Sequence, residues 1–338
     1  MKKRFSVNLI YAISMLTVAL VRILMSSGVF SDLDYIGRDV VWTVLVQVFA
    51  MGVLPVSLYL IYLKTNGVRK PLKTMARDFG YNVLPSAKSW LLILILSVVS
   101  TFIISCVSNV WYTFITAIGY RPSISSPQTS YSVGLLFYEI AFTAMLPAFF
   151  EELTNRGLLY HGNKGGKRPL KVIALTALMF ALMHTNITQV GYTFVFGLIA
   201  GALIYATKSI WPAVAYHFIN NFTAVVRDYL SANGKGLTFW DTAYDWLAGT
   251  VGGGIVSAVL FIAALIFVLW LLMRIGVLET ERRQSLPESK RKAYVSADGG
   301  QICAEAAVKS RWDNIPLYFA ITLNVLITVF TLVWGIIR

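Results

Sequence analysis

Apolar runs of about 20 residues, the length at which a helix spans a bilayer, recur from one end of this chain to the other. In hydrocarbon the backbone polar groups are satisfied only within helices or closed barrels. A barrel strand alternates apolar and polar residues with period two, whereas residues 91–104 and 255–272 are apolar on every face. The expectation is an all-α, polytopic transmembrane helix bundle. Only 13% of the 338 residues are charged, about half the share in a soluble domain. The net charge of +13 sits in short clusters between the apolar runs, where cytoplasmic loops carry Lys and Arg. The basicity therefore reads as topology: the lipid bilayer is the partner, and nucleic acid is not.

Apolar windows bounded by charges, Gly and Pro place about nine spans, near 7–30, 40–63, 89–113, 133–160, 170–186, 189–207, 209–226, 247–273 and 316–337. The connection 64–88 carries Lys64, Arg69, Lys70, Lys73, Arg77 and Lys88 against Asp78 alone, and the segment after Tyr160 carries Lys164, Lys167, Arg168 and Lys171. The connections before and after 64–88 are acidic or nearly uncharged, so basic loops alternate sides. This puts the N-terminus in the cytoplasm and the C-terminus outside. The N-terminal Lys2, Lys3 and Arg4 imitate a secretory signal, but no small-residue cleavage site follows, which makes the first run an uncleaved span. Three regions result: N-terminal spans over 1–132, a polar-residue core over 133–226, and C-terminal spans over 227–338 with a solvated polar loop at about 274–315. Cys106 and Cys303 are too few and too differently placed for a disulfide framework.

An ionisable group in the hydrocarbon region is costly and usually marks function. Glu151, Glu152 and Arg156 follow an apolar run, and Glu152 and Arg156, four apart on a helix, stack as an ion pair while Glu151 points about 100° away. One carboxylate is neutralised and the other left free. His184 and His217 sit in apolar helices, with Phe180 four residues before the first and Asn221 four after the second. At about 1.5 Å per residue, Glu151 and His217 share a depth, with His184 several Å deeper. His161 lies in a basic, Gly-rich loop and is expected to be exposed. Glu139 and Arg22 read as structural, Arg22 by snorkelling its head to the interface. Asn186, Asn220 and Thr223 are supporting candidates.

A shielded carboxylate suits a general base that takes a proton from water. Imidazole and carboxamide groups either donate hydrogen bonds to a developing oxyanion or, for the imidazoles, coordinate a metal. Both routes are hydrolytic. No Ser or Cys nucleophile, HExxH segment, P-loop or GxGxxG pattern is present at recognisable spacing.

In order, Glu151-Glu152-Leu153-Thr154-Asn155-Arg156 forms EExxxR, Phe180-Ala181-Leu182-Met183-His184 forms FxxxH, and His217-Phe218-Ile219-Asn220-Asn221 forms HxxxN. Over about 133–226 the chain resembles the CAAX-processing and bacteriocin-processing (CPBP) intramembrane endopeptidases, the type II CAAX prenyl protease family. The resemblance implies that Glu151 acts as base, that Arg156 holds Glu152, and that His184, His217 and Asn221 act on the oxyanion or position water. It also implies a peptide or membrane-protein substrate. The short basic N-terminus and compact loops suggest a bacterial cell-membrane protein, acting in peptide maturation or bacteriocin self-immunity. A metal-free glutamate mechanism is favoured over zinc on Glu151, His184 and His217, because Glu152 is engaged by Arg156 and a metal on Glu151 competes with its role as base. The alternative from another class is a transporter or non-catalytic scaffold using the same polar cluster.

Overall fold

The structure, a computed structural model, describes residues 3–122, 131–164, 169–235, 246–247, 249–288 and 311–337. In chain order the helices are α1 (Lys3–Ser26), α2 (Tyr35–Thr65), α3 (Pro71–Asp78), α4 (Ala87–Ala117), α5 (Val133–Asn163), α6 (Pro169–Met183), α7 (Ile187–Thr207), α8 (Trp211–Ala232), α9 (Val251–Ser285) and α10 (Ile315–Ile337), with no strand among the described residues. Seven of them, α1, α2, α4, α5, α7, α9 and α10, are long and apolar enough to cross a membrane. α6 is a shorter apolar helix, and α8 carries His217, Asn220, Asn221, Arg227 and Asp228. Each of the nine apolar windows overlaps one of these helices, seven of which are of spanning length and hydropathy among the described residues.

Helix starts follow local chemistry. Asp34, Ser86, Ser132, Asn186 and Thr250 cap α2, α4, α5, α7 and α9, each accepting from a backbone N–H that the first turn leaves unpaired. Two long helices contain proline beyond the first turn, and both are π-helical just before it: α2 through Thr43–Val53 ahead of Pro55, and α5 through Ile140–Met145 ahead of Pro147. Proline has no N–H to give the carbonyl four residues earlier and its ring crowds that carbonyl; wider turns accommodate the conflict. The two carbonyls concerned, of Met51 and Thr143, find side-chain donors on neighbouring segments. Thr154 Oγ1 donates to Met51, and Asn221 Nδ2 donates to Thr143 at 3.1 Å.

The bundle centres on α7, which packs against α6, α4, α9 and α8. α6 and α7 meet at Gly197, where a Cβ would lie 2.8 Å from the Ala177 Cα. Such close backbone approach at a small residue is how membrane helices pack without help from water. Gly197→Ala is expected to force the pair apart and destabilise the fold by about 1–3 kcal/mol, read as a lower Tm in detergent; an unchanged Tm refutes the close contact. α1 packs on α2 and α10, so the first and last helices lie side by side. Outward-facing Ile255, Ile262, Ile266, Leu269 and Met273 give α9 an apolar exterior, as a lipid-facing helix requires.

Two sequence expectations fail here. α9 does not end near 273 but continues to Ser285, so the polar loop expected from 274 begins with helix. The cause is Glu279, which is fully buried and accepts from Ser86 N at 2.8 Å and Ser89 Oγ at 2.7 Å, while Arg282 Nη1 donates to the Leu84 carbonyl at 2.7 Å. The start of α4 thus provides polar partners that keep a charged segment helical. Cys303 and most of the rest of that loop lie outside the described residues. His161 is also not exposed: it is 8% accessible, with Nδ1 2.7 Å from the Arg156 carbonyl and its ring edge-on to Tyr160.

Candidate active site

Glu151 and Glu152 end an α-helical turn, Leu146–Glu152, and the π-helical stretch Leu153–Tyr160 follows at once. The two carboxylates have different surroundings. Glu152 is fully buried, and its Oε1 lies 2.9 Å from Arg156 Nη1 and 3.0 Å from His217 Nδ1. Arg156, equally buried, gives Nη2 to the Gly197 carbonyl at 3.3 Å and holds its guanidinium 4.3 Å above the Phe180 ring. Phe180 in turn stacks on Phe196 and meets the edges of His184 and His217 at 5.1 and 5.7 Å. α5, α6, α7 and α8 are thereby tied through one ion pair and one aromatic cluster.

Glu151 stands apart from that cluster. Its Oε1 accepts from Gln47 Nε2 at 2.8 Å, and its Oε2 is buried with no hydrogen-bond partner. Asn155, held by Tyr11 Oη at 3.2 Å, donates to the Glu151 carbonyl at 3.0 Å, which steadies the backbone beneath the carboxylate. Gly52 lets α2 come this close, since a Cβ there would meet the Phe150 ring at 2.6 Å.

A cavity of about 210 Å³ opens beside Glu151, lined also by Arg22, Trp42, Gln47, His184 and Asn186. His184 reaches it because α6 stops at Met183 and the chain turns sharply through Thr185, whose φ of 47° is in the left-handed region. The depth offset expected from a continuous helix therefore does not keep His184 from Glu151. His184 Nδ1 lies 2.8 Å from the Phe180 carbonyl. A carbonyl only accepts, so Nδ1 carries the proton and, in the neutral ring, Nε2 is left as a lone pair. The same logic places the His217 proton on Nδ1, facing the Glu152 carboxylate.

The structure thus separates the expected site residues into two groups and leaves one outside both. Glu151 and His184 share the cavity. Glu152, Arg156, Phe180 and His217 form the supporting cluster behind it. Asn221 is engaged by the Thr143 carbonyl that Pro147 frees and is not in the cavity lining. Of the supporting candidates, Asn186 lines the cavity and caps α7, Thr223 bonds the Ile219 carbonyl of its own helix, and Asn220 contacts Asn221. Glu139 is buried and accepts from Thr143 Oγ1, in keeping with a structural role.

Two cavity residues escaped the sequence reading. Gln47 is the lone carboxamide in the apolar stretch 44–55, and that isolation was its signal. Arg22 has partners in the bundle: its Nη2 donates to the His184 carbonyl at 3.1 Å, and its guanidinium carbon sits 5.4 Å from the centre of the Trp42 ring. As for a metal, among the described residues no three His, Cys, Asp or Glu side chains are placed to hold one. His217 presents Nδ1 to Glu152.

Searches of curated proteins and of solved structures returned no significant match. Residues 133–223 match the family model described as type II CAAX prenyl endopeptidase, Rce1-like. EExxxR, FxxxH and HxxxN, at 151–156, 180–184 and 217–221, all fall inside the matched segment. This segment, about a quarter of a chain with seven helices long and apolar enough to cross a membrane, is similar to the Rce1-like type II CAAX prenyl endopeptidases.

Proposed function

We propose that this protein hydrolyses peptide bonds of membrane-associated substrates, with Glu151 as the general base and without a metal. The observation that carries this reading is the contrast between neighbouring carboxylates. Glu152 is engaged by Arg156 and His217, whereas Glu151 Oε2 lies buried and unpartnered beside a cavity that also receives His184. Such an oxygen is placed to accept a proton from a water molecule, and the His184 Nε2 lone pair offers that water a second acceptor. Water oxygen attacks the peptide carbonyl carbon, one water proton passes to Glu151, and the π pair moves to the carbonyl oxygen. On collapse the C–N bond breaks, and the proton held by Glu151 passes to the leaving nitrogen. One carboxylic acid and one amine result. Gln47 holds Glu151 Oε1 and so presents Oε2.

The test uses purified full-length protein in liposomes with an internally quenched farnesylated peptide ending in a CAAX sequence, alongside its unfarnesylated counterpart. Cleavage of at least one is expected, at a rate unchanged after exhaustive chelation. Cleavage of neither overturns the proteolytic reading. Loss of activity on chelation that added zinc restores overturns the metal-free mechanism.

A further inference from the structure

The connection between α2 and α4 carries Lys64, Arg69, Lys70, Lys73, Arg77 and Lys88 against Asp78 alone. Both helices are of spanning length, so the chain between them turns at one membrane surface. Asp78 is buried and occupied: it accepts from Tyr59 Oη at 2.7 Å and lies 3.9 Å from Arg77 Nη2. Lys64, Arg69, Lys70, Lys73 and Lys88 are all exposed, and among the described residues none of them joins an ion pair.

The helix in this connection, α3, has two faces. Lys70 at its N-cap, Lys73 and Arg77 recur at three- and four-residue spacing along one side. Leu72, Met75 and the C-cap Phe79 recur in the same way along the other. Met75 and Phe79 are buried in the bundle, but Leu72, on the same stripe, is 65% exposed. A helix lying in a membrane interface combines these features, with Lys and Arg for the headgroups and an apolar tip for the acyl boundary. A soluble acidic partner would use the charges and leave Leu72 in water. α3 also leads directly into the segment that braces the motif-bearing helices. Phe79 sits against Gly157 of α5, where a Cβ would lie 3.0 Å from its ring. At the start of α8, Ile210 N donates to the Gly80 carbonyl at 3.3 Å and Trp211 Nε1 to the Tyr81 carbonyl at 3.0 Å.

We propose that α3 is a binding site for anionic phospholipid, with Arg69, Lys70 and Lys73 taking the headgroup phosphate and Leu72 entering the acyl region. Basic clusters beside a spanning helix attract anionic lipid in this way. A ligand that binds only the folded state raises its stability, so lipid bound here should raise Tm.

The test titrates full-length protein in neutral detergent with dioctanoyl phosphatidylglycerol and follows Tm. Dioctanoyl phosphatidylcholine, glycerol 3-phosphate and polyglutamate are the comparison ligands. Tm should rise with phosphatidylglycerol and by much less with the other three. The rise should shrink in about 1 M salt, where the screening length falls to about 3 Å. Arg69→Gln/Lys70→Gln/Lys73→Gln should keep the wild-type Tm in detergent alone, because the three side chains are exposed and form no ion pair. The phosphatidylglycerol concentration that gives half the rise should increase about 10²-fold in this variant, and about fivefold in Lys70→Gln alone. Leu72→Ser should weaken the lipid several-fold and leave glycerol 3-phosphate unaffected. Lys171→Gln/Arg274→Gln, which removes exposed cations elsewhere, is the control and should behave as wild type. An unchanged titration in the triple variant overturns the proposal. So does an equal loss in the control pair, which reduces the effect to net charge. An equal rise with glycerol 3-phosphate makes this a plain phosphate site, and an equal rise with polyglutamate makes the partner a soluble acidic chain; either refutes the lipid assignment.

Discussion

Glu151→Gln is expected to give a folded protein that cleaves peptide about 10²- to 10⁴-fold more slowly than wild type. The side chain keeps its length and shape, and its carbonyl oxygen still accepts from Gln47 Nε2, the bond that holds Glu151 Oε1 at 2.8 Å. What changes is the second position. Glu151 Oε2, buried and unpartnered, becomes an amide nitrogen that donates and has no basicity for a water proton. Stability should hold, because the exchange removes a charge from an apolar helix and breaks no ion pair; Glu151 has none among the described residues. Tm in detergent and kcat/KM with the farnesylated peptide are the two measurements. Near-normal turnover removes Glu151 from the chemistry. A collapse of Tm would instead make Glu151 a structural residue, leaving its loss of rate uninformative. Glu152→Gln is the matched control. Because Arg156 and His217 both bond Glu152 Oε1, that neighbouring substitution should lower Tm, which the Glu151 change should not.

The helices were legible because their cause is local. Apolar runs of spanning length leave few alternatives, and Ser86, Ser132, Asn186 and Thr250 cap helices at positions a reader of sequence can mark. The Glu152–Arg156 pair was legible for the same reason, since four-residue spacing on a helix brings side chains together whatever the rest of the fold does. Failure began where the cause lies on another helix. Pro147 announces that the Thr143 carbonyl loses its partner, but only the docking of α8 makes Asn221 the donor that replaces it. Arg22 satisfies a snorkelling pattern equally well; that it turns to the His184 carbonyl depends on the early end of α6. Gln47 carries no motif at all, and its meaning appears only when α2 lies against Glu151. Periodicity gives the face of a helix and says little about what that face meets. In this site, the proposed base, Glu151, lies in a motif, while Gln47, which holds it, and the nearby Arg22 come from the N-terminal helices that the family match does not cover.

Arg156→Met is expected to be the most destabilising single change in the cluster, costing about 3–5 kcal/mol. Met keeps much of the apolar stem, so its packing against Phe180 is partly preserved, but the guanidinium that lies 4.3 Å over that ring is lost. The larger cost comes from what remains. Glu152 is fully buried, its Oε2 already has no partner, and without Arg156 its charge faces only His217. The Gly197 carbonyl also loses its donor where α7 approaches Ala177 of α6. Removing both charges should therefore hurt less than removing one. The double variant Glu152→Gln/Arg156→Met is expected to regain most of the lost stability, since a buried pair replaced as a unit leaves no stranded charge. Activity should fall in the single variant through misplacement of the helix that bears Glu151. Thermal unfolding of the two single variants and the double variant forms a cycle that reads the coupling directly. Wild-type Tm for Arg156→Met, or additive losses in the double variant, would mean that the pair does not hold α5 to its neighbours and that Arg156 acts elsewhere.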